Sequence, residues 1–207
     1  MINKKFFVAL LASSLYLCAN GNQQIQQSDL SVVESTLLPR ALKYNSYEDM
    51  AAIAIYYYQY DKKTLEKSLK LLNKIAYSNN DTAAFIVSTY FIQNNMDIAY
   101  MFLKKYFFKQ NSIFFYKKTT KKNQLLKEMF ASIVLSRNHI DKKEFYKIIE
   151  LLSVEDMPVD NLYISFLYIK LSENDIADLY LTKACNAATK GSKVYQYCTN
   201  SKDIIQN

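Results

Sequence analysis

The chain has 207 residues, is half hydrophobic, and carries a formal charge of +7 with only two glycines and two prolines. Glycine averages about 7% and proline about 5% of soluble chains, so the turn-rich β-sandwiches and barrels and the phosphate-cradling loops of α/β enzymes lack their usual residues here. Long helices joined by Asn, Asp and Ser turns fit this composition, and the apolar half supplies a packed core.

Residues 1–19 have the plan of a secretory signal. Lys4 and Lys5 precede an apolar run from Phe6 to Leu17, followed by small and polar residues. The run is shorter than the roughly 20 apolar residues a spanning helix needs. Cleavage is expected after Leu17-Cys18-Ala19 or Ala19-Asn20-Gly21. Cys18 stands where a bacterial lipoprotein carries its acylated cysteine, although Leu17 replaces the usual small residue before it. Removal and lipidation of Cys18 both stay open, and either leaves Cys185 and Cys198 as an even pair in an oxidising compartment. The expected location is therefore the periplasm or a membrane-anchored position in the envelope.

Residues 20–45 read as a polar, Gln-rich spacer (Asn20 to Asp29) and a short helix from Leu30 to Leu38 that stops before Pro39. Residues 46–200 then fall into capped helical segments. Ser46 opens the first, to Tyr60. Asp61 caps a second, Lys62 to Tyr77, with Leu65, Leu69, Leu72, Ile75 and Ala76 on one face. A third runs from Thr82 to Gln93, a fourth from Met96 to Phe108, and a fifth from Asn123 to Arg137. Asp141 caps a sixth, to Leu152. Pro158 starts a seventh, to Leu171, and an eighth spans Asp175 to Thr189, before Gly191. A short ninth covers Lys193 to Tyr197 or slightly beyond, and residues 201–207 are a tail.

Short loops place consecutive helices antiparallel. The predicted fold is all-α, with helix hairpins stacked as a short α-solenoid at a spacing of roughly 30–40 residues. Met96-Asp97-Ile98-Ala99-x-x-x-Leu103-x-Lys105 matches Asn174-Asp175-Ile176-Ala177-x-x-x-Leu181-x-Lys183 at five positions, 78 residues apart. In each copy Asp is expected to cap, Ala to allow close helix approach, Leu to pack inward and Lys to face water. Ala51, Ala54, Ala83, Ala84, Ser88 and Ser165 supply small residues on the first helices.

These Asp-Ile-Ala-x3-Leu-x-Lys segments resemble the tetratricopeptide and Sel1-like repeat families. Leu181-Thr182-Lys183-Ala184-Cys185 is similar to the Lys-Ala-Cys ending of the second helix in cysteine-rich bacterial Sel1-like proteins. The turn glycines of Sel1-like repeats are absent apart from Gly191, and the cysteine spacing is wider. The resemblance covers about Ser46 to Asn200. It implies a scaffold presenting a concave surface to proteins or peptides; no enzyme activity and no cofactor are expected, because the residues supply no site for either. The alternative carried by the same resemblance is a periplasmic hydrolase of cell-wall or antibiotic substrates.

The residues themselves offer no catalytic set. His139 is the single histidine, placed in a turn, and forms no metal-ligand spacing with the distal cysteines. Glu48-Asp49 and Glu155-Asp156 are neighbours in sequence; on a helix they diverge by about 100° and instead suit helix starts. No catalytic or metal residue is assigned, and no nucleic-acid partner is expected of an exported chain.

Two features suggest interaction. Tyr56, Tyr57, Tyr58 and Tyr60 cover most of a helix circumference; either they serve core and inter-repeat packing, or one or two of them line a peptide-binding groove. From Lys104 to Lys127 there are eight lysines and no acid, interleaved with Tyr106, Phe107, Phe108, Phe114, Phe115 and Tyr116. Either Lys117, Lys118, Lys121 and Lys122 contact an anionic surface such as a membrane, or the segment is a solvated loop whose aromatics tuck into the stack.

A Cys185–Cys198 disulfide is expected from the turn at Gly191. The two cysteines lie six and seven residues from it, at matching heights of roughly 9–10 Å along antiparallel helices, within reach of bridge geometry.

Overall fold

A computed structural model describes residues 30–108, 120–138 and 141–205, with side chains through residue 200. Every regular element among the described residues is helical. None of their helices is long and apolar enough to cross a membrane. The chain divides into two compact units between Phe130 and Ala131. The signal segment, Cys18 and the Gln-rich spacer lie outside the described residues.

The first unit begins with a continuous helical stretch: Leu30–Val32, a π-helical turn Val33–Leu37, then α1, Leu38–Tyr44. Pro39 therefore does not end the helix. It falls in the first two positions of α1, where a missing N–H costs little. The turn before it is π-type, with the Leu38 N–H reaching the Val33 carbonyl. That wider turn relieves the clash a proline ring makes with a regular α-helical carbonyl.

Four helices follow: α2 (Tyr47–Tyr60), α3 (Leu65–Ala76), α4 (Asp81–Asn94) and α5 (Met96–Phe108). A fifth, α6 (Lys121–Ser136), runs past the end of the unit. Their starts are set by side chains. Asp61 Oδ1 accepts the N–H groups of Lys63 and Thr64, and Asn80 Oδ1 accepts that of Ala83 at 2.8 Å. Ser46 donates to the Asp49 carboxylate at 2.7 Å without capping the backbone of α2.

Residues Met50 to Tyr57 of α2 are all buried, as are Ala83, Ala84, Phe85, Val87 and Ser88 of α4. Helices apolar on most sides belong at the centre of a stack. By contrast α3 buries one stripe, Ser68, Leu71, Leu72, Ile75 and Ala76, and exposes its lysines. The pairing follows from this. Helix α2 packs on α3 and α4, α4 packs on α5, and α3 packs on α5. The small residues on α2 and α4 permit the close approach, and Ser68 Oγ donates to the Ala54 carbonyl at 2.7 Å across the α2–α3 contact.

In the second unit, α7 (Lys142–Ser153), α9 (Asn174–Ala187) and α10 (Lys193–Ile205) pack around the inner helix α8 (Pro158–Lys170). Asp141 caps α7 through the Lys143 N–H. Helix α8, buried from Asp160 through Leu167, packs against α7, α9 and α10. Leu162 and Phe166 of α8, Ala184 of α9, and Val194 and Cys198 of α10 form a shared core. Helix α10 is longer than the short segment expected, and occupies most of the residues assigned to a tail.

The helices are punctuated almost without glycine. The left-handed backbone conformation is held by Asn45, Asn79, Asp156 and Ser172, with φ between 51° and 65°, and by Gly191. At Ser172 the Ser172 N–H reaches the Ile169 carbonyl and the Glu173 N–H that of Tyr168. This is the double bond of a Schellman stop, a site glycine usually fills.

Candidate functional site

The basic segment does not form a single surface among the described residues. Lys117 and Lys118 lie outside them, together with Phe114, Phe115 and Tyr116. Lys121 and Lys122 are exposed in the first turn of α6, and the Lys122 ammonium donates to Thr82 Oγ1 at 2.7 Å. Lys127 is completely buried, so the sequence run overstates the lysines available to an external anion. Lys104 lies over the Tyr100 ring, 5.6 Å from its centre. The described aromatics of the same segment turn inward. Tyr106 and Phe107 are buried, and Phe107 and Phe108 both pack on Phe130.

The tyrosines of α2 divide similarly. Tyr56 and Tyr57 are buried, Tyr58 packs edge-on against Tyr90 and Phe91 of α4, and Tyr60 is half exposed. The Tyr57 hydroxyl is buried with no hydrogen-bond partner among the described residues. Burial, and then the nearby Glu34 carboxylate, push its pKa above the usual phenol value.

Neither acidic pair converges on a common point. Glu48 accepts from Asn80 Nδ2 at 3.0 Å, whereas Asp49 accepts from Ser46. Asp156 bonds Asn161 and pairs with Lys183 at 2.5 Å. The Lys183 bond, then the Asn161 bond, hold its carboxyl below the usual range. Among the described residues no group of three or more His, Cys, Asp or Glu side chains is placed to hold a metal ion. His139 lies outside the described residues.

The two distal cysteines come together. Cys185 and Cys198 stand at disulfide distance, with Cα atoms 5.7 Å apart. Cys198 is buried and joins the core of the second unit, against which Cys185 packs.

Both matching segments identified in sequence lie in comparable helices, α5 and α9. Ala99 and Ala177 are buried in each, in keeping with close helix approach. The aspartates are not caps. Asn95 caps α5 by accepting the Ile98 N–H at 3.1 Å, and Glu173 stands at the start of α9. Asp97 and Asp175 occupy the first turns instead, where a carboxylate favours the positive end of the helix dipole.

A groove runs between α3 and α5, with a volume of about 330 Å³. Leu69, Leu72 and Ala76 form one wall and Ile98, Met101 and Phe102 the other. Lys105 and Asn73 lie at its end, joined by a 2.7 Å hydrogen bond, and the Lys105 ammonium also covers the Tyr77 ring at 5.3 Å. Met101 and Tyr77 are both more than half exposed. Sequence reading missed this groove. The available signal was Met101, an apolar residue next to Phe102 in a copy of the internal match.

Comparison of the chain with protein-family models, with curated proteins and with solved structures finds no match.

Proposed function

We propose that the chain is an exported, envelope-associated helical-repeat scaffold that binds a protein or peptide partner, in the manner of short α-solenoids. Assembly of a secretion or surface complex is the process such a scaffold suits. The observation that carries the reading is the alternating contact pattern of the first unit: α2 with α4 and α3 with α5, alongside the pairs α2–α3 and α4–α5. Successive helix pairs laid first helix on first and second on second are how solenoids propagate. The resemblance to tetratricopeptide and Sel1-like segments and the 78-residue internal match support it. The leader, with Lys4 and Lys5 ahead of an apolar run, supports export, with Cys18 either removed or acylated.

Fractionation of the source cells and affinity capture from detergent-solubilised envelopes test the reading. The expected result is an envelope-located chain retaining a defined partner in constant ratio. A chain that stays in the cytosol, or that retains nothing from envelopes, overturns it.

A further inference from the structure

We infer that the Cys185–Cys198 pair is a redox latch: a dithiol reductant opens it by attacking Cys185, and opening releases α10 from the apolar face that α8 and α9 share. The latch does not depend on the scaffold reading above. Its two cysteines differ in access. Cys198 is 7% exposed and lies in the core of the second unit with Leu162, Phe166, Ala184 and Val194. Cys185 only packs against that core and is partly exposed, and the next residues, Asn186 and Ala187, are exposed. The turn that follows, Thr189 to Gly191, is exposed as well, and a Cβ at Gly191 would meet no atom within 4 Å. An entering thiolate attacks the sulfur it can reach, which here is that of Cys185. The first bond formed joins the reductant to Cys185, and the Cys185–Cys198 bond breaks. The Cys198 sulfur leaves with the electron pair and takes a proton from water. The second thiol of the reductant then closes on the first and expels the Cys185 thiolate, which is protonated in turn. Two electrons and two protons pass from the dithiol to the pair.

The consequence for α10 follows from how it is held. Its first half carries Val194, Tyr197 and Cys198 to the core, with the Tyr197 ring edge-on to Phe166 at 5.3 Å. Gln196, Thr199 and Asn200 are exposed, and Ser201, Lys202 and Asp203 continue the helix with polar side chains. Its start is fixed by Ser192, whose Oγ accepts the Tyr195 N–H at 3.1 Å. A helix of 13 residues is marginal in water without such docking. The bridge keeps α10 beside α9 by closing a short loop, and reduction removes that constraint. Helices α8 and α9 pack directly on each other, so α10 can open locally while they stay together. Opening bares Leu162, Phe166 and Ala184, the part of the core that Val194 and Cys198 cover.

Two measurements on the oxidised full chain test the latch. In the first, a thioredoxin whose second active-site cysteine is replaced by Ser is added, and the mixture is quenched with a maleimide. Mass spectrometry should find the thioredoxin joined to Cys185 and the maleimide on Cys198. An adduct on Cys198, or no adduct, overturns opening by a reductant at Cys185. In the second, hydrogen exchange is followed with and without dithiothreitol. Amides of α10 should exchange about a hundredfold faster in the reduced chain, with those of α8 little changed. Cys198→Ser should exchange like the reduced chain and be indifferent to dithiothreitol. Unchanged exchange in α10 overturns the latch. Equal acceleration across α8, α9 and α10 overturns it too, because reduction then loosens the whole unit rather than freeing one helix.

Discussion

Cys185 of α9 and Cys198 of α10 face each other with Cα atoms 5.7 Å apart, thirteen residues apart in sequence. A bridge closing so short a loop is worth about 3 kcal/mol through the unfolded state. Urea unfolding of the oxidised chain should therefore shift to a lower midpoint on adding reductant, and Cys198→Ser should unfold at that lower midpoint whether or not reductant is present. Digestion without reductant should yield one cross-linked peptide pair. Two separately alkylated peptides would refute the bridge.

Asp156 gives the second unit an acid-sensitive contact. Its carboxyl is held below the ordinary value of 3.8, first by Lys183 and then by Asn161. A carboxylate with a depressed folded pKa adds stability that is present above its unfolded pKa and lost as pH falls through the folded one. The stability gap between wild type and Asp156→Asn should thus be full at neutral pH and close below about pH 4. Asn tolerates the positive φ of this position, so the backbone does not confound the comparison. Equal acid limbs for the two proteins would show that the contact contributes nothing.

Ser172 holds φ at 65° in the stop between α8 and α9. The left-handed conformation costs a side-chain-bearing residue roughly 1–2 kcal/mol, and glycine gives back about 0.5–1 through unfolded-state entropy. Ser172→Gly should stabilise the fold by about 0.5 kcal/mol, and Ser172→Val should destabilise it by more than that. Thermal unfolding of both variants checks the order; a less stable Gly variant would contradict the stop.

The Tyr57 hydroxyl is buried and has no hydrogen-bond partner among the described residues, while its ring is covered by the Lys67 ammonium at 5.8 Å. Tyr57→Phe keeps the ring and removes the unsatisfied group, whose burial costs about 1–3 kcal/mol. The variant should be more stable by about 1 kcal/mol. A loss on denaturation would imply that the hydroxyl has a partner in solution.

Helix existence was legible wherever a local signal sufficed. Asp61, Asn80 and Asp141 mark their starts through side-chain bonds to the next turn, and Pro158 opens α8. The misreadings have non-local causes. Pro39 is carried through by a π turn laid down before it. The polar second half of α10 has no apolar period to announce it, and its first half is secured by Val194 and Cys198 reaching a core built by α8 and α9. Lys127 looks like a surface lysine in the sequence, yet it is enclosed. The groove arises from two helices whose facing is set by the packing of α2 on α4, a relation that neither helix encodes alone.

The Cys185–Cys198 pair also sets how the chain bears load. A pull on the C-terminus of the bridged protein passes from Cys198 directly into α9 at Cys185. The intervening turn around Gly191 and α10 up to Cys198 carry no tension, so peeling from the C-terminal end stops at the bridge. Going beyond the bridge requires dislodging α9 from α8, the helix it packs on. With the cysteines reduced, the same pull unzips α10 turn by turn.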